Sequence, residues 1–441
     1  MPASPARAAA FDILLRVEQQ DAYASELLHS ERLDKLSLAD RALTTEIVMG
    51  VLRWQSKLDS AIAAQSARPL GKLDAEVLIA LRIAAYQLLY LDRVPARAAI
   101  NESVELVKRA AKTSAAPFAN AVLRKLAEAQ PASAAQPSTV EELAAQYAHP
   151  AWLVERWAAQ FGFDKAAAVC RYDQQVPTTS IRVDDPAVIN ELEAEGIALA
   201  PPALLASARM VTGGDITQTR AYREGRVFLQ DEASQLVAAL VGRGSRILDC
   251  CAAPGSKTSA IATRNPNAKV VAVELHPHRA ELLRKRVTAK NAEVLTADAT
   301  QLGLPCDFDR VLADVPCSGT GTLARNPEIK WCLKPEDLPD LHARQAAILR
   351  SALQQLAPGG RLVYSTCSLE WEENESVVEE VLAAGASFTL LDCRTELERL
   401  RGEGELVESN LDSLRAGHYL RTIPGIHPCD GFFAAVIERR T

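Results

Sequence analysis

Residues 246–264 read RILDCCAAPGSKTSAIATR, and this stretch decides the fold that we predict for the C-terminal half of the chain. The apolar run at 246–250 has the length of a buried strand, and residues 257–264 have the spacing of an amphipathic helix. Gly255 lies in the loop between them and allows a ligand to approach the backbone where the helix begins. The stretch therefore predicts a strand, a loop and a helix, which together form the repeating unit of an α/β fold.

The same alternation of short apolar runs and helical segments continues to the end of the chain. Further strands are predicted at 270–274, 293–296, 310–313, 361–365 and 432–437, and further helices at 277–290, 339–357 and 372–384. Strands that alternate with helices in this way form a doubly wound parallel sheet, whose ligands bind outside the carboxyl ends of the strands. We therefore predict a Rossmann-like α/β domain over residues 226–441.

The front of the chain has a different organisation. Residues 1–130 are rich in alanine and leucine, with apolar residues at three- and four-residue spacing, which predicts an all-α N-terminal domain. Residues 141–225 contain an aromatic helix, the strand-like TTSIRVD at 178–184 and a short helix, which predicts a small α+β module. The stretch 127–142 combines Pro, Ser and Ala without periodicity and is the predicted linker. The predicted fold class is therefore multidomain.

The composition is that of a globular protein. The 441 residues are 48% hydrophobic and 24% charged, and no apolar run has the length of a membrane helix or the form of a signal peptide. The nine cysteines are odd in number and contain no CxxC pair, which argues against a disulfide scaffold or a zinc site. We expect free thiols, no metal and no membrane contact, in a monomer that acts in the cytoplasm.

The charge of the chain leaves one question open. The formal net charge of −7 gives no sign of a nucleic-acid binder. Residues 278–290, HRAELLRKRVTAK, nevertheless hold five basic residues against the single Glu281. This segment is either a solvated helix face or a face that contacts RNA.

Residues that can do chemistry follow the predicted strands. They are DCCAAPGSKT at 249–258, Glu274, Asp298, DVPCSGTG at 314–321 and TCS at 366–368. The first loop is neither a GxGxxG loop nor a P-loop, so it carries no phosphate-binding machinery. A carboxylate at Glu274 suits the two hydroxyls of a ribose, and Asp298 can accept from an adenine amine. Adenosine without phosphates points to S-adenosylmethionine rather than NAD or ATP, although either acid alone is also typical of a capped loop.

Two thiols stand in polar, turn-forming surroundings, namely Cys317 and Cys367. Carbon 5 of a pyrimidine is too weakly nucleophilic to accept a methyl group from a sulfonium donor. A thiolate that adds to carbon 6 activates carbon 5 and splits one hard step into two. Chemistry alone does not decide which of the two thiols attacks. Cys250 and Cys251, in contrast, are expected to be buried and inert.

The motifs together resemble one enzyme family. FLQDEAS (228–234), LDCCAAPGSKT, VAVELHPHR, TADAT, FDRVLADVPCSGTGTLARNPEIKW, LVYSTCSLEWEENE and DGFF (430–433) follow in the order seen in RNA cytosine-5 methyltransferases of the Sun/Fmu type. The helical front domain resembles the antitermination factor NusB. This resemblance implies methylation of a cytosine in small-subunit ribosomal RNA, which the NusB-like domain and the small module would help to hold.

The resemblance also implies roles for individual residues. Cys367 of TCS would be the nucleophile, and Cys317 of the PC motif would assist product release near Asp314, which is expected beside the target base. The methyl donor would be held by the acids Glu274, Asp298 and Asp314, by Arg279, and by the loop residues Cys251, Ala252, Ala253, Pro254, Gly255, Ser256 and Lys257.

Three positions depart from the usual family pattern. Ser256 stands where a second glycine is common, Glu274 where an aspartate is common, and Val315 where an alanine is usual. Glu274 keeps the carboxylate and Ser256 keeps a small residue at a helix start, whereas Val315 adds bulk beside Asp314. Two alternative functions stay open: an RNA-binding assembly factor whose methyltransferase domain is vestigial, and the same chemistry on transfer RNA or DNA.

Overall fold

A computed structural model describes residues 3–20, 22–30, 33–129, 136–383, 385 and 387–441. Residues 130–135 of the predicted linker lie outside the described residues. The chain divides into two compact units: one runs up to Val176 and includes Leu323–Leu333, and the other holds Pro177–Thr322 and Lys334–Thr441. Within the described ranges, no helix is both long and apolar enough to cross a membrane.

The first unit is built from helices. They are α1 Pro5–Gln20, α2 Ala24–Leu28, α3 Leu38–Gln65, α4 Ala75–Tyr90, α5 Ala96–Arg109, α6 Ala116–Glu128, α7 Val140–Gln146, α8 Ala151–Phe161 and α9 Phe163–Asp173. The apolar faces of α1 to α6 form one core, as the periodicity predicts. A Cβ atom at Gly50 of α3 would lie 1.9 Å from Cζ of Tyr86 in α4, so only glycine allows this ring to pack against α3.

A small antiparallel sheet begins the second unit. Its elements are β1 Thr179–Val183, α10 Ala187–Ala194, β2 Ala198–Ala200, β3 Ala208–Gly213, α11 Arg220–Arg223 and β4 Val227–Leu229. The strand order is β2-β3-β1-β4, and β1 contains most of the strand predicted at 178–184. The helices at 140–173 group with the first unit instead, because their apolar residues are buried away from this sheet's own small core.

The large sheet dominates the second unit. Its elements, with one short helix that belongs to the first unit, are α12 Glu232–Leu240, β5 Arg246–Asp249, α13 Ser256–Arg264, β6 Lys269–Glu274, α14 Pro277–Arg286, β7 Ala292–Thr296, β8 Phe308–Asp314, α15 Ile329–Cys332, α16 Leu338–Gln354, β9 Leu356–Thr366, α17 Glu375–Ala383, β10 Phe388–Leu391, α18 Cys393–Gly402, β11 Arg415–Ala416, β12 Tyr419–Thr422 and β13 Phe432–Arg439. A strand or a helix overlaps each predicted range, although residue 384 of the predicted helix 372–384 lies outside the described residues and the predicted helix 339–357 ends at Gln354, just before β9 begins. The predicted helix 277–290 ends earlier, at Arg286, because Val287 turns inward to pack with Leu283.

The strand order of the large sheet explains why the loops meet. Through the described residues it runs β11-β12-β13-β9-β8-β5-β6-β7, with β10 paired to β13. The five strands from β7 to β9 are parallel, whereas β13 is antiparallel to β9. The carboxyl ends of β5, β6, β8 and β9 therefore share one edge. The fold class, with its all-α, α+β and Rossmann-like parts, is confirmed.

One segment that follows the PC motif is part of the helical unit. Lys330 of α15 is buried, and its Nζ donates to the carbonyl oxygens of Arg53 at 2.8 Å and of Ala148 at 3.0 Å. Trp331 Nε1 donates to the carbonyl oxygen of Leu52 at 2.6 Å. These hydrogen bonds join Leu323–Leu333 to α3 and to the loop before α8.

Candidate active site

The two candidate thiols are neighbours. Asp314 at the end of β8 lies opposite Ser365 of β9 in the parallel register, so the loops that follow the two strands emerge side by side. Cys317 Sγ lies 3.3 Å from Cys367 Sγ, and both side chains are partly exposed. The pair is therefore accessible from the edge of the sheet where ligands bind.

The environment of Cys317 keeps it protonated. Its hydrogen bond with Cys367 raises the pKa of Cys317, and burial and the negative charges of Cys367 and Glu373 raise it further. Two adjacent thiolates repel each other, so the two sulfurs do not both carry charge at once. At most one of these sulfurs therefore acts as an anionic nucleophile at a time.

An ion pair lies beside the thiols. Lys257 Nζ is 2.8 Å from Asp314 Oδ2, and Ser365 Oγ donates to Asp314 Oδ1 at 2.7 Å. Burial would lower the pKa of Lys257, but the charge and hydrogen bond of Asp314 and the charge of Cys367 outweigh it, so this pKa is raised. Lys257 Nζ also lies 5.1 Å from the centroid of the Phe432 ring. Lys257 is therefore a permanent positive charge within electrostatic reach of Cys367.

Gly255 shapes the loop between β5 and α13. Its φ of +107° and its position at the start of α13 require glycine, because a Cβ atom would lie 2.8 Å from Cδ1 of Leu283. The neighbouring Pro254 is exposed, Ala252 is buried, and Ala253 and Ser256 are half-buried. Backbone atoms therefore form much of the loop surface that a ligand would meet.

Arg182 ties the small sheet to this loop. Its Nη1 donates to the carbonyl oxygen of Ser256 at 2.9 Å and to Gln230 Oε1 at 2.8 Å. The guanidinium lies 4.3 Å from the centroid of the Phe228 ring and is buried. The small module thus supports the start of α13 directly.

The two acids predicted to bind the methyl donor, Glu274 and Asp298, each cap a loop through one carboxylate oxygen. Glu274 is buried, and its Oε1 accepts from the backbone nitrogen of His276 at 2.9 Å. Asp298 is exposed, and its Oδ1 accepts from the backbone nitrogen of Thr300 at 2.9 Å. Hydrogen bonds from the backbone and hydroxyl of Thr300 lower the pKa of Asp298. The capping role considered for each acid is present, and a second role toward a ligand stays a prediction.

The structure also places further residues that the sequence singled out. Arg279 is exposed in the first turn of α14. Cys250 is buried as expected, whereas Cys251 is only half-buried. Burial nevertheless raises the pKa of Cys251 well above its ordinary value, which favours an unreactive thiol. Val315 is buried in the core under the sheet, so its added bulk is directed into that core.

The basic segment 278–290 makes hydrogen bonds within its own unit. Arg284 Nη2 donates to the carbonyl oxygen of Val294 at 3.3 Å, and Lys285 Nζ lies 3.2 Å from Glu281 Oε1. The flanks of α14 are largely exposed. These contacts are those of a solvated helix face, and they favour that interpretation over a dedicated RNA contact.

Sequence reasoning assigned no role to two buried carboxylates. Asp249 accepts from Thr258 Oγ1 at 2.7 Å, and burial raises its pKa to about 6 despite this hydrogen bond. Glu373 is buried beneath the two thiol loops. The position of Asp249 at a strand end was the signal that could have indicated a role for it. Glu373 offered no such signal, because it stands in the acidic run EWEENE at 370–375, which is typical of a solvated turn.

Three sequence families match successive parts of the chain. Residues 4–128 match the NusB family, residues 149–213 match a ferredoxin-like domain of RsmF/B-like methyltransferases, and residues 240–438 match a family described as 16S rRNA methyltransferase RsmB/F. The matches follow the order in which the helical part, the small sheet and the large sheet occur.

Relatives and a solved structure match the whole length. The chain is 33% identical over 456 residues to a probable ribosomal RNA small subunit methyltransferase B of Bacillus subtilis, and the alignment covers 100% of both proteins. It is 34% identical over 419 residues to ribosomal RNA small subunit methyltransferase B of Vibrio cholerae, which covers 91% of this chain and 90% of the relative. The crystal structure of PH0851 has a TM-score of 0.81, 25% identity and coverage of 99% of both chains.

Proposed function

Because the chain belongs to the RsmB/F family of 16S rRNA methyltransferases, we propose that it transfers a methyl group from S-adenosylmethionine to carbon 5 of a cytosine in small-subunit ribosomal RNA. The observation that carries this proposal is the pair of thiols, 3.3 Å apart, beside the ion pair of Lys257 and Asp314. Methylation of a ring nitrogen or a ribose hydroxyl needs no thiol, whereas methylation of carbon 5 needs a nucleophile that adds to carbon 6.

Cys367 is the nucleophile in this proposal, and Cys317 assists release. The Cys367 thiolate would form a bond from Sγ to carbon 6, and the electron pair of the C5–C6 double bond would move to carbon 5. Carbon 5 would then take the methyl group, and the broken S–CH3 bond would leave its electron pair on the donor sulfur as a neutral thioether. A base then removes the carbon 5 proton, the double bond forms again, and the Sγ–C6 bond breaks to return the thiolate. The raised pKa of Cys317 supports this order, because Cys317 then keeps its proton while Cys367 attacks.

Lys257 and Asp314 orient the base and support the thiolate. The Lys257 ammonium supplies the positive field that an attacking thiolate requires at neutral pH. Asp314 is held from two sides, by Lys257 and by Ser365, so its carboxylate has one fixed direction at the strand end. A carboxylate fixed in this way can accept a hydrogen bond from the exocyclic amine of a cytosine.

The residues present fit the methyl donor. The glycine-dependent start of α13 exposes backbone where a ligand approaches, and Glu274 Oε1 is fixed by His276 so that the carboxylate has a defined direction toward a ribose diol. Asp298 follows the next strand along the chain and would accept a hydrogen bond from the adenine amine. When bound, S-adenosylmethionine supplies a methyl group on a positively charged sulfonium. Asp314, Glu274 and Asp298 supply complementary negative charge.

Trapping of the covalent adduct tests the proposal. Cys317→Ala should accumulate a covalent complex with small-subunit ribosomal RNA, whereas Cys367→Ala should form none and should transfer no tritiated methyl group. Cys306→Ala is the matched control, because Cys306 is a free thiol at the other end of β8 and its loss should leave turnover unchanged. A Cys367→Ala protein that still methylates RNA would show that Cys367 is not the nucleophile.

The NusB family match at residues 4–128 favours a second candidate, an RNA-binding assembly factor that does not catalyse methylation. Calorimetry separates the two functions: the enzyme must bind S-adenosylmethionine, and a factor with a vestigial domain binds RNA alone. Methyl transfer measured on separated ribosomal RNA, transfer RNA and DNA decides the substrate, and we expect the label in the small-subunit ribosomal RNA.

A further inference from the structure

Glu373 is a buried carboxylate with several donors. It ends the 3-10 helix Trp371–Glu373, which lies between β9 and α17, and its relative exposure is 0%. Its Oε1 accepts from the backbone nitrogen of Ser318 at 2.8 Å and from Gln345 Nε2 at 2.8 Å. Its Oε2 accepts from Ser368 Oγ at 2.5 Å and from Ser318 Oγ. The carboxylate therefore has partners on three separate segments.

Two of these partners directly follow the two thiols. Ser318 comes after Cys317, and Ser368 comes after Cys367, although the two serines are 50 residues apart in sequence. Their hydroxyl oxygens lie 3.0 Å from each other, above the same carboxylate. The position of each thiol is thus fixed through one peptide bond to the same Glu373 side chain.

Further hydrogen bonds extend this anchor on both loops. Gln345 Nε2, which donates to Glu373, also donates to the carbonyl oxygen of Pro316 at 2.9 Å, just before Cys317. On the other side, Asn374 Nδ2 donates to the carbonyl oxygen of Ser368 at 2.9 Å. The residues on either side of Cys317 are therefore held by groups that converge on Glu373.

A stabilising role alone does not explain a charge at this place. A buried carboxylate is expensive to desolvate, and apolar side chains of similar volume usually serve stability equally well. What a carboxylate adds is direction, because its two oxygens accept several short, charge-assisted hydrogen bonds in one plane. In this protein the hydrogen bonds to Glu373 hold the loop of Cys317 next to the loop of Cys367.

We propose that Glu373 is a positioning residue that sets the spacing of Cys317 and Cys367, so that attack by one thiol and release assisted by the other act on the same base. This inference rests on the proposed function for its mechanistic meaning. Attack on carbon 6 needs Cys367 alone, whereas release of the product needs both thiols at the correct distance from the same base. Loss of the Glu373 anchor should therefore slow release more than attack and should raise the ratio of covalent adduct to methylated product.

The direct test measures the spacing of the thiols and does not depend on methylation. Full-length protein is treated with the thiol oxidant diamide, which takes two hydrogens from the pair and leaves a Cys317–Cys367 disulfide, and the bridged peptide is quantified by mass spectrometry. We expect this reaction to be fast in the wild type and about tenfold slower in Glu373→Gln. Glu379→Gln, the same change at an exposed position on α17, should react like the wild type.

Thermal unfolding identifies a variant that has lost its fold. If Glu373→Gln does not fold, Ser318→Ala and Ser368→Ala carry the same test, because each removes one hydroxyl donor and keeps the charge. We expect each to slow the bridging reaction roughly threefold, because each removes one charge-assisted hydrogen bond to the Glu373 carboxylate and leaves the others in place. Bridging at the wild-type rate in the folded variants would overturn the proposal.

The two proposals fail in different ways. If the wild type methylates no RNA but bridges its thiols faster than folded Glu373→Gln does, the proposed function is wrong and the positioning role of Glu373 stands. If adduct forms and is released normally in Glu373→Gln, the positioning role is wrong and the proposed function stands.

Discussion

Lys257 Nζ lies 2.8 Å from Asp314 Oδ2, and this ion pair joins the first turn of α13 to the last residue of β8. The pair is mostly shielded, with side-chain exposures of 14% and 23%. Interactions between charges are stronger in such a site than at an open surface. Lys257 therefore connects the loop of the predicted donor site to the strand end of the predicted base site.

Lys257→Met should remove this connection and lower kcat by about two orders of magnitude, as does the loss of a preorganised charge in other active sites. Lys257→Arg should recover part of the loss because it restores the charge but not the length. Initial rates of methyl transfer with both substrates saturating measure the effect. Lys269→Met is the control, because Lys269 is exposed at the opposite end of β6. A Lys257→Met protein of wild-type kcat would contradict the role.

Gly255→Ala should destabilise the protein and weaken donor binding. The residue combines a φ of +107° with 2.8 Å between an added Cβ atom and Leu283, so backbone strain and a clash act together, at about 2–4 kcal/mol in the free energy of unfolding. Gly225→Ala is the matched control, because its φ is +69° and nothing lies within 4 Å of an added Cβ atom. Urea unfolding and donor calorimetry measure both effects, and equal losses in the two variants would refute the clash.

Asp249→Asn should change the pH dependence of stability. Burial raises the pKa of Asp249 to about 6, so the folded protein binds more protons than the unfolded chain between about pH 4 and pH 6. Wild-type stability therefore falls relative to the variant as the pH rises through this window, by about 3 kcal/mol. For Asp298→Asn the pH dependence should be reversed. Hydrogen bonds lower the pKa of Asp298, so wild-type stability should rise relative to this variant as the pH rises. Urea titrations at several pH values measure the free energy of unfolding of both variants. A difference between wild type and Asp249→Asn that does not change with pH would contradict the raised pKa of Asp249.

Lys330→Met should destabilise the helical unit. The substitution removes two hydrogen bonds to buried carbonyl groups, which costs about 2–3 kcal/mol in the free energy of unfolding. Burial lowers the pKa of Lys330 to about 7, so the folded protein binds fewer protons than the unfolded chain from about pH 7 to pH 10.

Wild-type stability should consequently rise with pH over that window, and the deficit of Lys330→Met should widen. Chemical denaturation at pH 7 and at pH 9.5 measures the change. Lys108→Met is the control, because Lys108 lies at the surface with a side-chain exposure of 45%. A deficit that narrows as the pH rises would show that the buried ammonium is stabilised in its charged form.

The secondary structure and the class of each part followed from local patterns. The strand at 246–250, the helix after Gly255 and the acids at successive strand ends are fixed by residues within about one turn or one strand of each other. The rule for parallel sheets then placed Glu274 and Asp314 at the same edge. The family motifs gave the expected roles of the two thiols, and those roles remain predictions.

Other features depend on contacts between distant residues. The parallel-sheet rule brought Cys317 and Cys367 to one edge, but their 3.3 Å separation depends on β8 and β9 being direct neighbours and on the path of each loop. Glu373 appeared as one acid in a charged run, because no local pattern reveals that a turn will fold beneath two other loops.

The sequence by itself determined the order of helices and strands and the positions of the reactive groups along the chain, because periodicity and turn chemistry act over a few residues. The tertiary structure alone decided that Leu323–Leu333 packs within the helical unit, that Lys257 pairs with Asp314, and that one carboxylate anchors both thiol loops. Each of these is a contact between residues far apart in sequence, and its geometry is set only when the sheet register and the core packing are complete.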